Sequence, residues 1–593
     1  MKRILTTILL IILSIQIHSQ EYQWIRTFGD VFADHASDVK TDSFGNIYLI
    51  GHFSHYPKFK PMEMGSVSLV ETGVENGNLF GAKFNPNGQL IWAKNLGGTA
   101  SNSNVMQNRE INEPKIILDP IGNLIVFARY DQGVDLDPGP NTYIIPPDSN
   151  YTRSWVMSKY DANGNFLSAK NFGGVGDIAI IINNVKTDAA GNIYLAGMFR
   201  GTIDVDMSSN VYNITADQQY LDSFFMKMDS NANFIWVKHI ENSGVDDRVL
   251  DIAVNNQYLY MTGDFSGNVD FNTGTAVNIL QSNNSSKDAF LAKYSLLDGS
   301  YQWAVALGGN YNNDVGRTIE TDELDNVYTT GVFRGSVDFD PSPMAAYILE
   351  PSSFVNNVTD LYVLKLDGAG NFGWVKTFFS SDGTYYHSKQ DRDLVLKNDN
   401  LFFTGNYIRQ LRDRNNQPIT NLSQSSNSNE IFIMRLNKID GTVLGVKSIV
   451  GNQDEYGYAI HFDNANNMVL AGAFTGDIQD PFVANSLMTT GNGNTDAFVM
   501  KWNLDILLST NDFNSVSTEL KLSPNPASES INLNSDTELT KFKIFSTDGK
   551  LVYDKSLRGK SVNIDIRHLP AGVYLVQVIN IENESQTIKF IKQ

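Results

Sequence analysis

Three observations predict an all-β fold, a seven-bladed β-propeller of four-stranded blades with a small antiparallel β-sandwich behind it. One strand phrase returns seven times, a fourth-strand phrase stands alone ahead of the first copy, and helical periodicity is almost absent. The repeated phrase opens on a turn at Asp42, Asp119, Asp188, Asn255, Asp322, Lys397 and Asp463 and runs into β-branched and aromatic residues that end near Gly-x-Phe. Its equivalent positions, Tyr48, Val126, Tyr194, Tyr260, Tyr328, Phe402 and Val469, recur every 66 to 78 residues. That period suits four short strands and one longer loop.

A second phrase follows each first one as Asp-x-Phe-x-x-Lys, a turn, and an apolar strand that carries Trp in five copies (Trp24, Trp92, Trp236, Trp303 and Trp374). Alternating apolar positions broken by Asn-Gly, Asp-Gly or Gly-Asn read as strand, hairpin, strand. With the strand before each Asp turn the unit has four strands, one propeller blade. The regular Trp set is expected to pack between neighbouring blades rather than to form sugar platforms.

The two ends of the array predict how the ring closes. The seventh copy stops after its third strand near Trp502, whereas a fourth strand around Trp24 precedes every first, second and third strand. Pairing the two gives seven complete blades and removes the free edge that an all-antiparallel sheet must avoid.

These units resemble the β-propeller repeats called SBBP, on Gly45-Asn46, Gly191-Asn192, Asp288-Ala289-Phe290 and Gly308-Gly309, over about Gln20 to Asp505. Copies two and six depart from that pattern at Arg129-Tyr130 and at Gly445. The resemblance implies a fold and a surface location, without an agreed activity.

The ends of the chain speak to destination. Met1-Lys2-Arg3 and the apolar run Ile4 to Ile17 read as a signal peptide over residues 1–19. The propeller is expected over 20–505, a polar linker over 506–518 and a separate domain over 519–593. That last domain resembles the type A C-terminal sorting domain of the type IX secretion system of Bacteroidota. The resemblance rests on Pro524, Asn525 and Pro526, on Asp548-Gly549, on Leu569, Pro570, Gly572 and Tyr574, and on the closing run from Lys589. It implies export across the outer membrane, recognition by the type IX machinery, and removal of the domain as the protein is released or attached to the surface.

Composition narrows the partners. The 45 basic and 65 acidic residues give a net charge of -20, which repels phosphate backbones and argues against nucleic acid. Cysteine is absent, which excludes disulfides, thiolate metal sites, cysteine nucleophiles and a lipidated cysteine. No segment after the leader is long enough to span a bilayer.

Chemistry is harder to find. The eight histidines lack metal-ligand spacing, so each is expected in a loop or between blades, and no catalytic residue is nominated. Acidic residues recur in two sets. The first lies after the second strand (Asp135 and Asp137, Asp204 and Asp206, Asp270, Asp338 and Asp340, Asp477 and Asp480), the second before the first strand (Asp34, Asp246 and Asp247, Asp314, Asp454 and Glu455). Alternating strand direction puts both sets on one face of the ring. Asp135, Asp137, Asp204, Asp206, Asp338 and Asp340 are the candidate ligands for Ca²⁺, a hard cation that takes oxygen from flexible loops. The competing reading is that they cap turns. The function expected is a non-enzymatic surface or secreted module that binds a glycan or protein; the alternative is an extracellular hydrolase or lyase acting on polysaccharide.

Overall fold

The computed structural model describes residues 22–503 and 521–593, apart from 30–31, 55–57, 60–66, 70–77, 99–112, 132–133, 145–152, 217–218, 242–246, 284–285, 310–312, 353–358, 381–392, 420–421, 423–427, 480–486, 547–550 and 581–584. The leader, the linker, Asp246, Asp480 and Gly549 therefore lie outside the described residues. The chain divides into two compact units, Met1–Thr510 and Asn511–Gln593.

Among the described residues the first unit holds seven four-stranded antiparallel blades and no helix. Blade one runs through His35–Thr41, Ile47–Phe53, Asn78–Phe84 and Leu90–Gly98, and the next five repeat that order. The first strands touch one another in sequence, from His35–Thr41 through Lys115–Leu118 and onward to Glu455–Phe462, which returns to His35–Thr41. They line the centre of a closed ring. The seventh blade takes its outer strand from the N-terminus: Tyr22–Gly29 pairs antiparallel with Leu487–Asn503, in a register from Trp24 opposite Lys501 to Phe28 opposite Ala497.

One local device builds the hairpins. Asp42 Oδ1 accepts the backbone N–H groups of Phe44 and Asn46 at 2.9 Å each, while Asn46 Nδ2 donates to Oδ2 at 2.8 Å. The same bonds form at Asp119, Asp188, Asp322 and Asp463, and again in the later hairpins at Asp161, Asp229 and Asp367. This is why Asn follows Gly in the repeated phrase: it holds the carboxylate that holds the turn.

A second device locks blade to blade. Trp24 of blade seven donates its indole N–H to the Pro86 carbonyl in a turn of blade one at 3.1 Å, and Trp92 repeats this on Ala162 of blade two at 3.1 Å. Trp303 reaches Gly368 at 3.0 Å and Trp374 reaches Lys438 at 3.3 Å. The turn glycine is obligatory beneath the ring: Gly88 has φ +74°, and a Cβ there would fall 2.4 Å from Trp24. The third-strand lysine completes the lock. Lys501 bonds Asp463 of its own blade at 2.8 Å and the Pro86 carbonyl of the next at 3.1 Å. The Trp set thus packs between blades, and the repeated Asp, Asn, Lys and Trp are all committed to architecture.

Carboxylates also stitch the inner strands. Asp38 accepts the Ile116 N–H of the next blade at 3.0 Å, and Asp251 and Asp393 grip Ile319 and Ile460 at 2.8 Å. Behind them Lys186 bridges to Glu320 at 3.0 Å.

The sandwich expected in the tail takes the form of one five-stranded sheet that curls until it nearly closes. Ser530–Ser546 is its long central strand; it pairs with Lys521–Ser523 and Gly572–Asn580, and with Leu551–Asp565. Ser585–Lys592 pairs with Gly572–Asn580, and Ala527 binds back to it through its N–H on the Ile591 carbonyl at 2.8 Å. Ile531, Leu533, Phe542, Ile544, Val576 and Phe590 fill the interior.

Candidate functional site

The first candidate is the segment after each second strand, because there the repeat varies in length and carries the acidic pairs. Its alternation is that of an extended strand: Val134 and Leu136, Ile203 and Val205, Val337 and Phe339 are buried, whereas Asp135 is exposed and Asp137, Asp204, Asp206, Asp338 and Asp340 are half-buried. The leading aspartate of each pair ties the loop. Asp135 Oδ1 accepts the N–H groups of Asp137 at 3.0 Å and Tyr143 at 2.8 Å; Asp204 takes those of Asp206 and Tyr212, at 3.1 and 2.8 Å. Asp338 does the same for Asp340 and Tyr347, at 3.0 and 2.8 Å, and Asp270 for Asn272 and Asn278. The second aspartate caps a smaller turn, Asp137 on Gly139, Asp206 on Ser208 and Asp340 on Ser342.

The six carboxylates nominated for calcium are thus distributed over three blades, two to a loop, each holding backbone. Once tied, the loop turns back along the outside of its own blade. Tyr143 packs on Phe166 with ring centroids 4.7 Å apart, Tyr212 on Phe234 at 4.7 Å and Tyr347 on Phe372 at 4.9 Å, all at the start of an outer strand. The tips then present apolar side chains to solvent: Val211 is 69% exposed, Val277 70% and Met344 92%, with Ile144, Ile279 and Ile348 beside them.

The second acidic set behaves differently from its expected place on an open face. Asp34, Asp247, Asp314 and Glu455 are at most 2% exposed. Each sits beneath the loops because its carboxylate or backbone closes a junction. Asp314 accepts the N–H groups of Gly309 and Arg334 at 2.9 Å each, and burial pushes it up to about 8. Glu455 and Glu430 face each other across the junction of blades six and seven. Burial raises both; Glu430 raises Glu455 further, whereas the contacts with Ser428 and Glu455 partly offset the rise of Glu430, which stands at about 7.

One constellation had no sequence signal. His35 and His52 are paired across the ladder of the first two strands of blade one, and Glu113 reaches them from the start of blade two. Among the described residues this is the one group of three side chains of metal-binding type whose ligand atoms converge. Seventeen residues separate the histidines and Glu113 is far along the chain, so spacing alone conceals the group. Counting strand register outward from the Asp42 turn places Ala36 opposite His52; the bulge between Ala36 and Asp38 is what brings His35 level with it.

In the tail, the motif residues close the curled sheet. Asn525, between Pro524 and Pro526, accepts the Ile591 N–H at 2.9 Å. Leu569 is buried, Tyr574 donates its hydroxyl to the Pro570 carbonyl at 3.0 Å, and its ring stacks on Phe590 at 5.5 Å. Gly572 opens the strand that pairs with the last one, where Lys589 lies opposite Leu575.

Residues 521–593 match the family described as Secretion system C-terminal sorting domain. A curated relative, an uncharacterized WD repeat-containing protein of Acanthamoeba polyphaga mimivirus, is 28% identical over 260 residues, 39% of this chain. This chain spans only 18% of that relative's length. Among solved structures the chain is similar to PorZ, an essential bacterial surface component of the type IX secretion system of Porphyromonas gingivalis, at 11% identity, covering 95% of this chain and 100% of that one with a TM-score of 0.15. It is also similar to the extracellular domain of a hybrid two-component system of B. thetaiotaomicron, at 10% identity, 96% and 100% coverage and a TM-score of 0.17. Overlap of that quality carries no weight, and the blades stand on their own strand pairing. Ring, closing strand and matched tail together make this a seven-bladed propeller that ends in a secretion-system C-terminal sorting domain, an address that sends it through type IX export to the outside of the cell or its outer surface.

Proposed function

We propose that the exported propeller is a non-catalytic binding module that engages a protein or glycan through the folded-back loops at the rim of blades two to five. The observation that carries this reading is the row of exposed apolar tips, Ile144, Val211, Val277 and Met344, each held out by an aspartate-tied loop in consecutive blades. The recurrence of exposed apolar side chains at the same place in four successive blades supports an interaction surface on this rim. The aspartates predicted as calcium ligands have their place in the same reading as the residues that shape the loops, each with its Oδ1 already serving backbone. Adhesion follows from the same surface.

The test is a binding screen of the mature chain against glycans and extracellular matrix proteins, with calcium and with chelator, beside a triple variant V211S/V277S/M344S. Exposed substitutions of this kind should move stability by less than about 0.5 kcal/mol each. We expect the variant to lose binding at unchanged melting temperature. Binding that the variant retains would reject the rim, binding that calcium alone restores would return the aspartates to the role of metal ligands, and turnover of a bound polysaccharide would replace the module with a hydrolase or lyase.

A further inference from the structure

We infer that His35, His52 and Glu113 form a binding site for a first-row divalent transition-metal cation of the Zn²⁺ class, set between blades one and two where the inner strands begin. His35 Nε2 and His52 Nδ1 lie 3.2 Å apart, Glu113 Oε2 is 3.4 Å from the first and 3.8 Å from the second. A tetrahedral ion bound at 2.0–2.1 Å spaces its ligand atoms by about 3.3–3.4 Å. Two of the three separations therefore lie at what such an ion imposes, and the third, 3.8 Å, is longer by about 0.4 Å. Two imidazoles and one carboxylate suit zinc and its neighbours, and fit poorly the all-oxygen preference of Ca²⁺ or Mg²⁺.

Two further observations point the same way. Ser37 donates its hydroxyl to Glu113 Oε2 at 2.6 Å, fixing the carboxylate as outer partners fix metal ligands elsewhere. And the pair is not demanded by the blade. At the equivalent rung, one residue beyond the central glycine pair, blade four places the ion pair Arg248 and Asp264, blade five Val315 and Val332, and blade seven Tyr456 and Ala473. A blade closes equally well with a charged, an apolar or an aromatic pair at that place. The histidines are thus peculiar to blade one, unlike the Asp, Asn, Lys and Trp that every blade needs. Glu113 comes from the neighbouring blade, so a bound ion would cross-link two blades at the wall of the ring. Three protein ligands leave a position on a tetrahedral ion for water or for an anionic group of an incoming ligand.

The experiment uses the mature chain stripped of metal by chelator and titrated with Zn²⁺ by calorimetry and with Co²⁺ by visible absorption. One ion per chain should bind, and cobalt should show the d–d bands of a four- or five-coordinate centre. H35A and H52Q should each weaken zinc by more than about 100-fold, and S37A by about 10-fold, the range for outer partners of a ligand. H239A, which removes a histidine paired with Asp222 at 2.8 Å, serves as the control and should leave zinc affinity unchanged. Should H35A fail to fold, H52Q, which keeps volume and polarity, decides the matter. Absence of stoichiometric binding, or equal affinity in H52Q and the unaltered chain, would overturn the assignment and leave a hydrogen-bonded histidine pair.

Discussion

Glu430 and Glu455 face each other with Ser428 donating to the first at 2.8 Å, and two carboxyls can share a hydrogen bond only while one of them keeps a proton. Both are raised by burial first; Glu430 lifts Glu455 further, while Ser428 and Glu455 hold Glu430 back only in part, so the folded protein holds protons that the unfolded chain gives up. The stability that this contributes is full below about pH 4.5, the unfolded value, and is lost as pH rises through about 7 for Glu430. The propeller should therefore weaken between pH 5 and pH 8, by at most about 3 kcal/mol from Glu430 alone. E455Q, which keeps the shape and removes one of the two charges, should flatten that decline; urea midpoints at the two pH values measure it, and parallel slopes in variant and parent would refute the shared proton. The turn aspartates act in the opposite sense. Burial would raise Asp188, but bonds from Asn192, Tyr194 and Ala190 outweigh it and hold the carboxyl below its ordinary value. Its contribution is present above about pH 4 and disappears only in stronger acid.

At the scale of strands, Tyr22–Gly29 is the element whose loss should matter most, since Trp24 bonds Pro86 while Arg26 donates to the Gly88 carbonyl at 2.7 Å. W24A should cost about 3–5 kcal/mol, the range for a buried aromatic cut to alanine. Hydrogen exchange should quicken in Tyr22–Gly29 and Leu487–Asn503 while Lys287–Ser295 of blade four stays protected; uniform loss of protection would argue that the ring opens as one unit. The elements that could be read from sequence were the local ones. Asp42 to Asn46 is a turn whose donors and acceptors lie within five residues, and the spare strand around Trp24 shows itself by what residues 496–503 lack. What could not be read depends on how chain returns upon chain. Nothing near Asp135 says that Tyr143 will fold onto Phe166, nothing near Asp314 says that the loops above will bury it, and nothing in the spacing of His35, His52 and Glu113 says that a ladder and a blade junction will bring them together.

For the whole molecule, the tail decides destination and the propeller decides what is delivered. Removing 519–593 should leave the protein in the periplasm, as fractionation and surface labelling would show; undiminished display of the truncated chain would refute an address in the tail. The two kinds of motif were legible for different reasons. Those of the tail are spent on closing its own curled sheet, as Asn525 on Ile591 and Tyr574 on Phe590 show, so a fixed shape demands fixed residues. Ligand choice leaves no such mark, because the rim tips at Val211, Val277 and Met344 are free to vary without cost to the blade.

The seventh blade, one strand from the start of the propeller and three from its end, also sets an order of events. Synthesis and passage through the inner membrane deliver residue 22 long before residue 503, so the early blades must wait with an open edge while the later ones arrive. The sorting sequence follows directly behind the strand that ends that wait. A chain long enough to show its passport to the outer-membrane gate has therefore already supplied the last piece of the ring, and a chain cut short within that last strand carries neither.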